Sequence, residues 1–170
     1  MTALLLALRV LHVVLGVYWA GTIIFVALFL EPAVRASGPE GGKVMQALLA
    51  RRHLDVMPVV ALVTILSGLW LMWIVSGGFH SDWMGSRMGM VLSLGGAAAV
   101  VAFAIGVGVM RPAALRGMAL AGQLAQASGQ ADPAAQAQLT ALRTRARSAG
   151  RWVAALLLVA VLAMSVARYA

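Results

Sequence analysis

The side chains here that can hold a metal or move a proton are few: His12, His53 and His80, a set of methionines, and no cysteine. His12 lies inside a long apolar run, one turn from Arg9. An imidazole facing lipid is costly, so this ring is expected to face neighbouring helices and find a partner there. One of its nitrogens can ligate a haem iron or a copper ion. The plainer expectations are a hydrogen bond to an adjacent helix or a place on a proton path. His80 is followed by Met84, Met88 and Met90. Imidazole with thioether suits Cu(I), and Met84 and Met88 share a helical face, although methionine also fills apolar packing space.

Arg87 can pair with a haem propionate or another anion, or it can snorkel to the headgroups. His53 follows Arg51-Arg52 at the start of the second apolar run. At a rise of ~1.5 Å per residue its level is roughly 25 Å from His12, so the two cannot grip one iron. Glu31 and Asp55 are expected to form salt bridges with Arg51 or Arg52. Without cysteine there are no disulfides, thiolate metal sites or thiol nucleophiles. A phosphate-cradling glycine loop, a paired-carboxylate arrangement and a Ser-His-acid set are likewise missing, which leaves no basis for a hydrolase or a nucleotide-driven pump.

The elements that must position these groups are read from hydropathy. The chain is 62% hydrophobic and only 11% charged, a balance that belongs to membrane proteins. Apolar runs at about 3–30, 54–76, 86–110 and 150–168 predict four membrane spans, since ~20 residues of helix cross the hydrocarbon. The fold class is therefore all-α, a polytopic membrane four-helix bundle in one domain. Pro32 is expected to break the first run after Glu31. Ser37–Gly42 reads as a turn cluster before a short helix over 43–52. Residues 112–149 are too polar to cross and predict a helical hairpin between spans three and four, turning at 128–131, with Asp132 as a cap and Pro133 in the first helical position. Gly85, Gly89 and Ser93 in span three, against Gly16 and Ala20 in span one, suggest that these two spans pair closely. No internal repeat is apparent.

The net charge of +8 is concentrated in two connections. Arg35, Lys43, Arg51 and Arg52 lie between spans one and two; Arg111, Arg116, Arg143, Arg145, Arg147 and Arg151 lie between spans three and four. The short middle connection has no basic residue before Arg87. This is the positive-inside pattern: loops 31–53 and 111–151 are expected in the cytoplasm, and both termini outside the cell (inner) membrane. Anionic lipid headgroups account for the basic balance without nucleic acid. The first run is too long for a signal peptide's apolar segment and is read as a retained span. Trp70, Trp73, Trp83, Trp152 and Tyr169 fall where interfacial aromatics are expected.

Leu11-His12-Val13, Tyr18-Trp19-Ala20-Gly21, Phe25 and Pro32-Ala33-Val34-Arg35 resemble the first span of the copper-resistance D and HemJ-type membrane proteins. Gly68-Leu69-Trp70-Leu71-Met72 is similar to the corresponding second-span segment of the HemJ type, and Trp83-x-x-x-Arg87 to a Trp-x-x-x-Lys entry into the third. The likeness covers about 9–108. It implies a bundle handling haem b or copper, with His12 and Trp19 at the cofactor and His12 in the place of the first-span histidine. The HemJ-type enzymes oxidise protoporphyrinogen and use a third-span lysine. Arg87 stands there instead and cannot act as a titrating amine. The leading expectation is a protein binding haem b for redox or haem handling, through His12 with Arg87 near a propionate. Its alternatives are a copper transport or export component using His12, His80, Met84 and Met88, and a non-catalytic accessory subunit. The expected partners are the lipid bilayer and either other membrane proteins or a second copy of the chain.

Overall fold

The computed structural model describes residues 2–50, 53–126 and 132–170, and the regular elements among them are all helical. They are α1 (Thr2–Phe25), α2 (Glu31–Ala36), α3 (Gly38–Ala50), α4 (His53–Val75), α5 (Ser81–Met84), α6 (Arg87–Ile105), α7 (Arg111–Gln126) and α8 (Pro133–Val166), with short π turns at Val26–Leu30 and Gly106–Met110. Four continuous stretches, Ala3–Ala36, Asp55–Val75, Arg87–Gln126 and Pro133–Tyr169, are long and apolar enough to cross a membrane. The chain is thus a multi-pass membrane helical bundle. Helices satisfy every backbone donor and acceptor within one segment, which hydrocarbon demands.

Large side chains such as Leu6, Val17, Leu94 and Leu162 cover the outside of the bundle, as lipid contact requires. The core is made mostly of small ones. Ala20, Ala61, Ala98, Ala99, Ala102, Ala154 and Ala160 are buried around Trp19, Ile23, Met57, Val153 and Leu157. Hydrophobicity gives no reason for helices to associate in lipid, so close approach of small residues is the main source of packing energy. The principal pairs are α1 with α4 and α6 with α8, closed into a ring by α1 with α8 and α4 with α6.

Spans one and three therefore share no extended contact, contrary to the sequence expectation. Gly16 meets Thr64 of α4, with 3.5 Å between the position of an added Cβ and Thr64 Cγ2. Gly89 is pressed onto the backbone of its own preceding helix at Trp83 and Met84. The glycine that brings span three to a neighbour is Gly95, against Ala160 and Ala163 of α8.

Pro32 does not break the first span. Lacking an N–H, a proline cannot bond the carbonyl four residues back, and its ring crowds that carbonyl. The helix widens instead: the Glu31 N–H reaches Val26 O, five residues back, and α2 continues to Ala36. The same device recurs before Pro112, where the Arg111 N–H reaches Gly106 O. Ser37–Gly42 is likewise not a turn throughout. The reversal is confined to Ser37 and Gly38, whose φ is +55°, and Gly41 lies inside α3, its Cα against the Val34 backbone. At the other end of the bundle Gly77 and Gly78 (φ 67° and 89°) end α4, and the Ser86 hydroxyl caps α6 through the Gly89 N–H. Asp132 caps α8 through the Ala134 N–H, with Pro133 in the first turn. α7 packs along the first half of α8, so the helical pair between spans three and four is present; its turn at 128–131 lies outside the described residues.

The two halves of the bundle carry a matching proline device. Glu31-Pro32-Ala33 and Arg111-Pro112-Ala113 each follow a π turn at the same end of the bundle. Glu31 accepts a hydrogen-bonded ion pair from Arg147 of α8, and Arg111 donates one to Asp55 of α4 at 2.8 Å. Exchanging spans one and two for three and four maps one clamp onto the other with the charges reversed. The expected partners Arg51 and Arg52 lie outside the described residues.

The Glu31 side chain is 20% exposed and that of Asp55 53%, so removing the first should cost more. Glu31→Gln is expected to destabilise by about 1–3 kcal/mol, the range for a hydrogen bond to a charged group. The combined Glu31→Arg and Arg147→Glu exchange should restore most of the loss, as read by thermal unfolding in detergent.

Candidate functional site

One glycine lets α1 and α4 come together around His12. Gly68 lies directly under the ring, while Gly16, one turn beyond the histidine, faces Thr64 at ordinary contact distance. A Cβ on Gly68 would come within 2.6 Å of His12 Cε1. The half-buried imidazole thus faces span two rather than lipid, as expected, and Nδ1 lies 2.8 Å from Thr64 O. A carbonyl only accepts, so Nδ1 carries the proton and donates it. In the neutral ring Nε2 is then the nitrogen with the free lone pair.

The supporting hydroxyls are occupied locally. Thr64 Oγ1 donates to Val60 O at 2.8 Å, and Ser67 Oγ lies 2.7 Å from Val63 O and 3.0 Å from Thr64 O. Ser67 Oγ is 3.5 Å from Nδ1, too long to count for much. Both residues are buried. Among the described residues no buried side-chain polar atom lacks a partner, and no hydrogen bond is made by Nε2. The ring is pinned at one nitrogen and open at the other.

The other sequence-level candidates are not gathered round it. Trp19 is 4% exposed, two turns farther along α1, and lines a small interior cavity with Met57, Pro58, Ala61 and Phe103. That cavity is about 50 Å³, whereas pockets for drug- or cofactor-sized ligands run ~300–1,000 Å³. That cavity, which His12 does not line, is too small for a macrocycle. Arg87 is exposed at the start of α6 and, among the described residues, makes no hydrogen bond or ion pair. His80 is exposed in the loop before α5, its Nδ1 4.0 Å from Asp82 Oδ2. Met84 and Met88 are half-buried at the end of α5 and the start of α6. Among the described residues no group of three or more metal-binding His, Asp or Glu side chains converges. His53 opens α4, and its side chain lies outside the described set.

Sequence reasoning missed Thr64 and Ser67. The available signal was their place beside Gly68 in an otherwise apolar span, facing a lone histidine at a matching depth. Comparison with protein-family models, curated proteins and solved structures finds no match to this chain.

The contact between ring and glycine gives a direct test. Gly68→Ala should displace the imidazole from Thr64 O and destabilise by about 1–3 kcal/mol, the cost of leaving a donor unpaired together with local strain. His12→Phe in the same background should recover none of it if crowding persists, whereas His12→Ala should recover the steric part, as judged by melting temperatures in detergent.

Proposed function

We propose that this membrane bundle binds haem b through His12 Nε2, for redox or haem handling, at the seam of α1 and α4. The observation carrying this reading is the hydrogen bond from Nδ1–H to the Thr64 carbonyl. Ligating histidines characteristically donate their second ring N–H to a carbonyl or carboxylate, which fixes the tautomer and raises the basicity of the ligating nitrogen. His12 has that partner, and Nε2 remains unused. The macrocycle would lie along the lipid-facing side of the seam. When bound, haem supplies one-electron chemistry at its iron.

The chain's own residues hold and orient. Thr64 O and Gly68 fix the ring plane. Counting back from the paired Glu31 and Arg111 level, Arg87 stands roughly 8 Å nearer the loop end than His12, a place suited to a carboxylate at the membrane surface. Trp19, in the packed core, has no part in this reading. The basic connections 31–53 and 111–151, with the α7–α8 hairpin, lie on the cytoplasmic side of the inner membrane by the positive-inside rule.

The purified protein is expected to show a Soret band that His12→Ala abolishes and Arg87→Gln weakens. A band unchanged in His12→Ala overturns the assignment. A colourless protein with stoichiometric copper, lost on Met84→Ala with Met88→Ala, would replace it with copper handling. A colourless, metal-free protein isolated with fixed partners would replace it with an accessory role.

A further inference from the structure

A groove of about 840 Å³ runs along one face of α8, floored by Ile105 and Val109 at the end of span three. Its α8 wall follows helical spacing: Ala137, Thr140 with Ala141, Thr144 with Arg145, Ser148 with Ala149, then Trp152. The groove is graded in polarity. Arg147, ion-paired to Glu31, marks the charged end of the bundle. Trp152 lies five residues beyond it toward the apolar spans, roughly 8 Å deeper, while Arg145 lies ~3 Å to the polar side. Ile105 and Val109 sit below Arg111, on the apolar side of the same level.

The upper part of the groove holds uncommitted polar groups. Among the described residues the Arg145 guanidinium makes no ion pair or hydrogen bond, and neither the Thr144 nor the Ser148 hydroxyl has a partner. Thr140, by contrast, bonds back to Gln136 O at 2.9 Å. A helical hydroxyl either turns back to a preceding carbonyl in this way or points outward, as those of the exposed Thr144 and Ser148 do. An unpaired cation flanked by two open hydroxyls is a phosphate-binding set. Beneath it lies an apolar trough with an exposed indole.

We propose that this groove is a binding site for one anionic glycerophospholipid, its phosphate held by Arg145, Thr144 and Ser148 and an acyl chain lying along Ile105, Val109 and Trp152. The charge selects an anion, and the depth selects a lipid. A soluble phosphate would use only the upper half, and an apolar helix would leave the guanidinium unpaired. The site is separate from His12 and does not depend on the haem reading.

The test uses the full chain in nanodiscs of phosphatidylcholine, doped with photoactivatable phosphatidylglycerol or photoactivatable phosphatidylcholine. The phosphatidylglycerol probe should label the 137–152 segment about 5-fold more than its zwitterionic counterpart, since a basic residue at the surface contributes about 1 kcal/mol toward an anionic lipid. Arg145→Gln should reduce the preference to parity. Arg145→Lys, which reports folding, should keep most of it, and Arg143→Gln, on another face of the helix, should keep all of it. Excess inorganic phosphate should not compete. Equal labelling by both probes, a preference that survives Arg145→Gln, competition by phosphate, or cross-linking of the groove to a second protein chain would each overturn the proposal.

Discussion

A single hydrogen bond, from the His12 imidazole to the Thr64 carbonyl, ties the first two spans together and decides what the site can do. In hydrocarbon a ring N–H without a partner costs more than the bond returns, so the imidazole must reach across to the next helix. It can do so only because Gly68 carries no side chain at the crossing. Pairing at Nδ1 then fixes Nε2 as the nitrogen left for a ligand. Helix spacing, ring orientation and chemical availability follow from the same contact.

The opposite end of the bundle is governed by charge and by proline. Each of the two long helices running toward that end meets a proline, widens by one residue into a π turn, and presents the residue before the proline to an oppositely charged partner. Glu31 reaches α8 and Arg111 reaches α4, so the two clamps join the helix pairs that have the less extensive contacts. The small-residue packing of α1 on α4 and of α6 on α8 is thus complemented where it is weakest. The uncommitted cation, Arg145, lies just outside this clamped level. There, among the described residues, it has no carboxylate partner.

Much of this architecture was legible in hydropathy. Four apolar runs, the ending of α4 at Gly77-Gly78 and the Asp132-Pro133 start of α8 all appear where residue types put them. Local rules failed where tertiary contacts prevailed. Proline chemistry alone predicts that Pro32 ends the helix, but widening the turn keeps the Glu31 N–H bonded to Val26 O. Gly41-Gly42 looked like a reversal because glycine is permissive; here Gly41 is needed for close packing on Val34 instead. Neighbouring arginines are the partners a local reading gives Glu31 and Asp55; Arg51 and Arg52 lie outside the described residues, and the described partners, Arg147 and Arg111, are ones only the ring order of the helices could reveal. For the site, the inward orientation of His12 could be foreseen from the cost of exposing it to lipid. Its acceptor could not, because every helical carbonyl is a candidate until the glycine contacts select one.

The protonation pattern of the His12 ring tests the account most directly. Nitrogen-15 solid-state NMR of the histidine-labelled protein in lipid bilayers, assigned by comparison with His12→Ala, reads each ring nitrogen separately. The His12–Thr64 hydrogen bond requires a proton on Nδ1, with through-space contact to the Thr64 carbonyl carbon, and an unprotonated Nε2. A ring protonated at Nε2 alone, or one with no contact to Thr64, would contradict it.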